Sequence, residues 1–335
     1  MIAGITRLIV RLFIFASLLS LVFVSGAAIW FSHIWQAPSG IDQDRFIFIA
    51  KGTNHQQLAT YLHDEGFLPE PWLYPILRFG FTLGEQQSFA PKAGEFLVPA
   101  GASYEDLFRI IDSGKPYQHR LVIIEGTRTQ DIVIALNKDD RLTGVILRPP
   151  VEGMLAPDTY FFERGASRVS IIERMQKRQE LIIAEEWANR QEGLPYETAN
   201  DALIMASIIE KESGLSKEQP LISSVFINRL HKGMRLQSDA SVLYGIVQSE
   251  GRARDVLRRD LETDSPWNSY RRYGLPRTAI ANPSRAAIRA ALNPMPSAHF
   301  YFVADGQGGH KFAKTYKEHQ KNVLAYRAFK AQQSQ

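Results

Sequence analysis

Two glutamates near the end of an apolar stretch are the residues of this chain best suited to chemistry. The segment NDALIMASIIEKESG, residues 200–214, opens on Asn and Asp and stops at Gly214, which are start and stop signals for a helix. At 100° per residue Ile204, Met205, Ile208 and Ile209 form one apolar face; Glu212 falls within it and Glu210 nearly opposite. The spacing therefore predicts a solvated Glu210 and a Glu212 deprived of water. Lost hydration raises a carboxyl pKa, and the C-terminal end of a helix dipole disfavours the anion further. Such a protonated carboxyl is what a general acid needs to protonate a glycosidic oxygen near neutral pH. The competing reading is a helix that frays at Lys211 and leaves Glu212 on the surface.

The elements that must position these residues are legible in the rest of the pattern. From Leu12 to Phe31 the chain is uncharged for about the length a helix needs to cross a bilayer, with Arg7 and Arg11 before it. The positive-inside tendency predicts that these arginines stay in the cytoplasm, that Trp30 and Trp35 sit at the far interface, and that the body is exported. A cleaved signal peptide is the alternative, given the small residues Ser25, Gly26, Ala27 and Ala28. Residues 1–11 are then a cytoplasmic N-terminus, 12–35 the transmembrane anchor, and 36–44 a linker. Over 45–150 strand and helix patterns alternate: strands at 45–50, 94–99 and 121–125, helices at 54–65, 103–112 and 129–136. Gly153 and Pro157 break the pattern, so 151–162 reads as a connection into a second domain, 151–335. That domain contains a helix over 170–190, the Glu212 helix, long loops, a strand pair near 299–314 and a terminal helix from Lys317.

Composition bounds the function. With 335 residues, 45% hydrophobic and 22% charged, most of the chain is able to fold. A formal charge of +4, spread without a basic stripe, argues against a nucleic-acid partner. The absence of cysteine excludes disulfides and thiolate chemistry. His299, His310 and His319 match no zinc spacing, so no metal and no cofactor are expected.

MASIIEKESG, SVFINRL, MRLQSDASVLYG, Asn268-Ser269-Tyr270, Tyr273-Gly274-Leu275-Pro276 and HFYFVADGQGGHKF occur in the order seen in the endolytic murein transglycosylase, or YceG-like, family. VIIEGTRT and EGMLAPDTYFF add to this, and the chain resembles the family over roughly residues 45–330. It departs from the family pattern at Ala240, Ser241 and Gln320. The resemblance implies an α+β fold: an N-terminal transmembrane helix, a LysM-like α+β region over 45–150, and a mixed α/β YceG-like catalytic domain over 151–335. It also implies Glu212 as the catalytic residue, nascent peptidoglycan strands as substrate, and a single-pass place in the inner membrane with the catalytic domain in the periplasm. Glycan polymerases and penicillin-binding proteins are the partners expected of such an enzyme.

A lytic transglycosylase manages with one carboxyl group, because the muramic acid O6 hydroxyl attacks its own C1 and no water is consumed. Ser213, Gln237 and Asn268 are candidates to supply dipoles to the developing charge. Asp239 is the second carboxylate if the enzyme is instead a muramidase-type hydrolase, or else caps the helix at 240–246. Glu152 carries the same ambiguity, with a loop role favoured. Residues 260–283 read as a long ordered loop whose Asn268, Tyr270 and Tyr273 suit N-acetyl groups and sugar rings, or are partly core. His310, after a hairpin turn at 305–309, either lines the site or braces it. A non-catalytic anchored glycan-binding scaffold is the rival from another class, and it predicts a dispensable Glu212.

Overall fold

The protein is represented by a computed structural model that describes residues 2–333, with side chains from Val10 onward. Arg7, expected to flank the anchor, lies outside the described side chains. The chain has a mixed helix and sheet architecture and divides into two compact units, one up to His119 and one from Arg120.

The first unit begins with helix α1, Ile2–Trp35. Its Val10–Trp35 stretch has a mean hydropathy of 2.4, and no part of its most apolar window is buried, so it is long and apolar enough to cross a membrane. Its last turn does something else. Phe31, Ile34 and Trp35 pack against the core of the unit, with the Trp35 ring 5.9 Å from Phe108 and 6.5 Å from Phe81. Trp35, expected at the membrane interface, is half-buried against this core. Gly80 makes room: a Cβ there would overlap the Phe31 ring.

Strand β1 (Arg45–Ile49), helices α2 (His55–Asp64) and α3 (Leu73–Glu85), strand β2 (Gly94–Val98) and helix α4 (Tyr104–Ser113) complete this unit. β1 and β2 are antiparallel, Arg45 facing Val98 and Ile49 facing Gly94. Asn54 with Gln57 and Ser103 with Asp106 form capping boxes that start α2 and α4 where the sequence placed them. α3 was not among the expected helices. Pro75 lies in its first turn, where a missing N–H costs nothing, and Leu73, Tyr74, Leu77 and Phe81 supply the buried stripe.

The second unit contains all but the first residue of strand β3 (His119–Val122), helix α5 (Thr129–Lys138), strand β4 (Thr159–Phe162) and helices α6 (Arg168–Ala188), α7 (Ala199–Glu212), α8 (Gln219–His231), α9 (Asp239–Glu250), α10 (Arg258–Glu262) and α11 (Arg285–Leu292). The antiparallel strands β5 (Tyr301–Ala304) and β6 (His310–Ala313) and helix α12 (Tyr316–Gln333) come after them. The connection expected over 151–162 ends in β4, which pairs with β3. Ile123, Ile132, Leu136, Leu155, Tyr160, Ile171 and Met175 share one core, so the residues around α5 pack with β4 and α6.

A second core forms around α7. Every residue from Ala202 to Ile209 is buried, so the helix is enclosed on all sides rather than on the single face its sequence suggested. Thr198, with Asp201, caps its start in place of the expected Asn/Asp. α11 lies along α7, and Ile222, Phe226, Leu236, Ile280 and Ile288 fill the space around it.

Gly153 closes the approach of the 151–158 segment to this core. Its φ of +90° is disfavoured for a side chain, and a Cβ would lie 2.7 Å from Ala279 Cβ and 3.3 Å from Leu203 Cδ2. Gly153→Ala is expected to lower stability by about 2–4 kcal/mol in chemical or thermal unfolding. Wild-type stability would show that the segment relaxes freely.

Candidate active site

α7 ends one residue beyond Lys211, where Ser213 is extended (φ −143°, ψ 124°) and donates its backbone N–H to Ile209 O at 3.2 Å. The helix does not fray before Glu212. The carboxyl opens on a cavity of about 440 Å³ that Glu212 shares with Arg229 from α8, Gln237 from the α8–α9 connection and Asp239 from the first turn of α9. Tyr270 from the long loop, Tyr301 from β5, His310 from β6 and Tyr316 and His319 from α12 complete its polar lining. A larger cavity, about 620 Å³, lies between α9 and the 260–268 loop and contains none of these groups.

Glu212 Oε1 accepts a hydrogen bond from Ser238 Oγ at 2.5 Å. Burial is the strongest influence on its acidity and pushes the pKa above the ordinary carboxyl value. The Ser238 bond acts in the opposite direction, the negative charge of Asp239 adds to the rise, and His310 and Arg229 oppose it. Asp239 is not a helix cap: Ser238 holds the cap position, and Asp239 Oδ1 accepts from the Tyr270 hydroxyl at 2.6 Å. Burial, then that bond, raises the Tyr270 pKa and keeps it a neutral donor. His310 Nδ1 lies 2.8 Å from Glu218 Oε2, so the ring is braced from behind while it lines the cavity. Arg229 is 7% exposed and donates to Phe300 O at 2.7 Å and Leu236 O at 2.5 Å, which ties β5 to the chain before Gln237.

The structure brings Glu212, Gln237, Asp239, Tyr270 and His310 together, and it does not bring Ser213, Asn268 or Tyr273 to the cavity lining. Ser213 turns away and its Oγ accepts from Leu215 N–H at 3.0 Å. Asn268 is 1% exposed; its Nδ2 donates to the carbonyls of Asp260, Leu261 and Thr263, and its Oδ1 accepts from Tyr270 N–H. It organises the loop and has no group left for a sugar. Tyr273 is 65% exposed beneath the Arg235 guanidinium, 4.5 Å from its ring centre. Glu210, expected in solvent, accepts from Ser284 N–H at 2.8 Å and Ser284 Oγ at 2.5 Å and so fastens the start of α11. Glu152 accepts from Thr129 N–H at 2.8 Å and the Tyr244 hydroxyl at 3.2 Å, the loop role favoured for it.

Sequence reasoning missed Ser238, Arg229, Tyr301 and Glu218. Arg229 carried a signal, a guanidinium inside the apolar run SVFINRL; Ser238 carried none, because a serine in a polar stretch looks like any other.

The raised pKa has a consequence for stability. In the unfolded chain Glu212 ionises near its ordinary value of 4.5, whereas the folded state resists ionisation, so folding loses stability as pH rises above that value. Glu212→Gln removes this cost and keeps an acceptor for Ser238. Its melting temperature is expected to exceed wild type by at least roughly 2 °C at pH 8 and to match it below about pH 4. A pH-independent difference in melting temperature would contradict the burial of this carboxyl.

Similarity to known proteins extends over the same regions. The sequence pattern of the YceG-like family matches residues 47–325. The endolytic murein transglycosylase of Bacillus subtilis is 36% identical over 241 residues, which are 70% of this chain and 65% of that protein. The Streptococcus pneumoniae protein of the same name (strain D39) is 26% identical over 325 residues, 83% of this chain and 57% of its own length. The chain thus spans less than two thirds of the length of these relatives. A crystal structure of a YceG-like protein from Listeria monocytogenes aligns with a TM-score of 0.49 at 27% identity, covering 84% of this chain and 99% of that one. On the extent of the sequence match, this chain belongs to the YceG-like family.

Proposed function

We propose that this protein is a membrane-anchored endolytic peptidoglycan transglycosylase, acting in cell wall assembly and strand-length control. It cleaves the bond between N-acetylmuramic acid and N-acetylglucosamine in nascent glycan strands and leaves 1,6-anhydro-N-acetylmuramic ends. The observation that carries the proposal is the Glu212 carboxyl, half-buried at the edge of a polar cavity and biased toward its protonated form. The printed names of the relatives, endolytic murein transglycosylases, support the substrate class.

In this mechanism Glu212 gives its proton to the glycosidic oxygen as the C1–O bond breaks and the bonding pair leaves with that oxygen. The muramic acid O6 then attacks C1, and its proton passes to the Glu212 carboxylate, which restores the acid. Gln237, the Asp239–Tyr270 pair and His310 are the groups placed to meet the sugar and its developing positive charge. A second reading, hydrolysis with Asp239 Oδ2 activating water while Oδ1 is held by Tyr270, predicts reducing ends instead.

The apolar helix α1 anchors the protein in the inner membrane with its N-terminus in the cytoplasm and the body in the periplasm. Residues 45–150 supply a LysM-like glycan-binding region, and glycan polymerases and penicillin-binding proteins are the enzymes beside which such a cutter would work.

Mass spectrometry of digested sacculi and nascent strands tests the proposal. Wild type is expected to produce anhydro ends and Glu212→Gln to lose at least roughly 100-fold in rate. Reducing ends would establish a hydrolase, and unaltered strands with retained glycan binding would establish a scaffold.

A further inference from the structure

Directly behind Glu212 lie three buried hydroxyls, those of Ser238, Ser241 and Ser269. Ser269 Oγ accepts from Ser238 N–H at 2.9 Å, Ser241 Oγ donates to Ser238 O at 2.7 Å, and the two hydroxyls are 2.8 Å apart. Both backbone polar groups of Ser238 are therefore held by side chains from neighbouring elements. The residue before it, Gln237, has a φ of +53°. A left-handed backbone at a non-glycine residue is uncommon and persists only where its surroundings impose it. Here Gln237 N–H donates to Ser269 O at 3.1 Å, so the same loop that holds Ser238 also holds the strained residue. The one unrestrained polar group of Ser238 is its hydroxyl, and that hydroxyl donates to Glu212 Oε1.

A serine hydroxyl has a single proton to donate. Given to Oε1, it makes that oxygen the acceptor, and the acid proton of neutral Glu212 then resides on Oε2. We infer that Ser238 decides which oxygen of Glu212 carries the transferable proton, and that Ser241 and Ser269 are positioning residues that hold Ser238 to this task. The inference rests on the reading of Glu212 as the acid/base. Oε2–H protonates the glycosidic oxygen, the C1–O bonding pair leaves with that oxygen, O6 bonds to C1, and the O6 proton returns to Oε2. The Ser238 proton stays on Oγ throughout. After the first transfer the same bond points at a full carboxylate, where it is stronger. Ser238 thus stabilises the ionised intermediate state more than the resting acid.

Four influences other than Ser238 act on this carboxyl. Burial and Asp239 on α9 raise its pKa; His310 on β6 and Arg229 on α8 lower it. Tyr270, Tyr301, Tyr316 and His319 face the same cavity from the loop, β5 and α12. Removing the Ser238 bond leaves the raising influences less opposed. Because Glu212 must start protonated, kcat declines as pH rises past its pKa, and loss of the bond moves that decline to higher pH.

The test uses full-length protein in detergent, with release of anhydro ends from glycan strands measured across pH. Ser238→Ala is expected to lower kcat by roughly 10-fold or more with KM within about threefold of wild type, and to shift the alkaline limb of kcat upward. Ser269→Ala is expected to move both in the same direction by less. An unmoved alkaline limb in Ser238→Ala overturns the inference whatever the loss in rate, since a purely structural role lowers activity without retuning Glu212. If thermal melting shows Ser238→Ala unfolded, Ser238→Cys, similar in size and a weaker donor, is read against the same limb. Glu212→Gln separates the two levels: full turnover in that variant removes the proposed function itself, whereas an inactive Glu212→Gln beside a wild-type-like Ser238→Ala removes only the role of Ser238.

Discussion

Residues 202–209 of α7 have no solvent-facing side, so the helix is unable to rotate or slide without opening voids or driving side chains into α8 and α11. Glu212 lies one turn beyond this wedged stretch and inherits its immobility. Because Ser213 leaves the helix at once, the carboxyl stands at the edge of the core with its backbone fixed and its head in the cavity. A carboxyl on a mobile loop would find water and ionise at its ordinary value. The raised pKa is thus a consequence of how tightly an apolar helix is packed, and the chemistry depends on packing before it depends on any polar contact.

The polar contacts then decide how far the rise goes. Desolvation raises the pKa of Glu212 most; Ser238, His310 and Arg229 oppose it, while Asp239 reinforces it. Each of these groups is itself held. Ser238 is gripped by two buried serines, His310 by Glu218, Asp239 by Tyr270, and Arg229 by two backbone carbonyls. Arg229 and His310 thus reach the cavity with side chains fixed by groups outside it, and Asp239 and Tyr270 fix each other within it.

The same logic explains why residues that look chemical turn out to be structural. Asn268 exhausts its amide on three carbonyls and one N–H, and in doing so shapes the loop that delivers Ser269 and Tyr270. Glu210 and Glu152 each fasten the start of another helix, α11 and α5. Carboxylates and amides bond readily to backbone N–H and C=O groups, and in this protein Asn268, Glu210 and Glu152 are used to hold backbone segments in place.

Local patterns determined a large part of this protein. The apolar run of α1, the capping boxes at Asn54 and Ser103 and the placement of Glu212 on an apolar helix depend on neighbours within one or two turns, and such signals are written in consecutive residues. α3 was obscured because Pro75 is harmless only once its position in the first turn is known. What the tertiary structure alone decided is which polar groups meet Glu212. Ser238 is 26 residues away in sequence, and Ser269 reaches Ser238 across 31 more, so no periodicity joins them. The contacts of Trp35 with Phe81 and Phe108 likewise arise only in the folded chain. Hydrogen bonds between distant hydroxyls obey geometry set by the packing of α7, α8 and α9, and that geometry exists only in the folded chain.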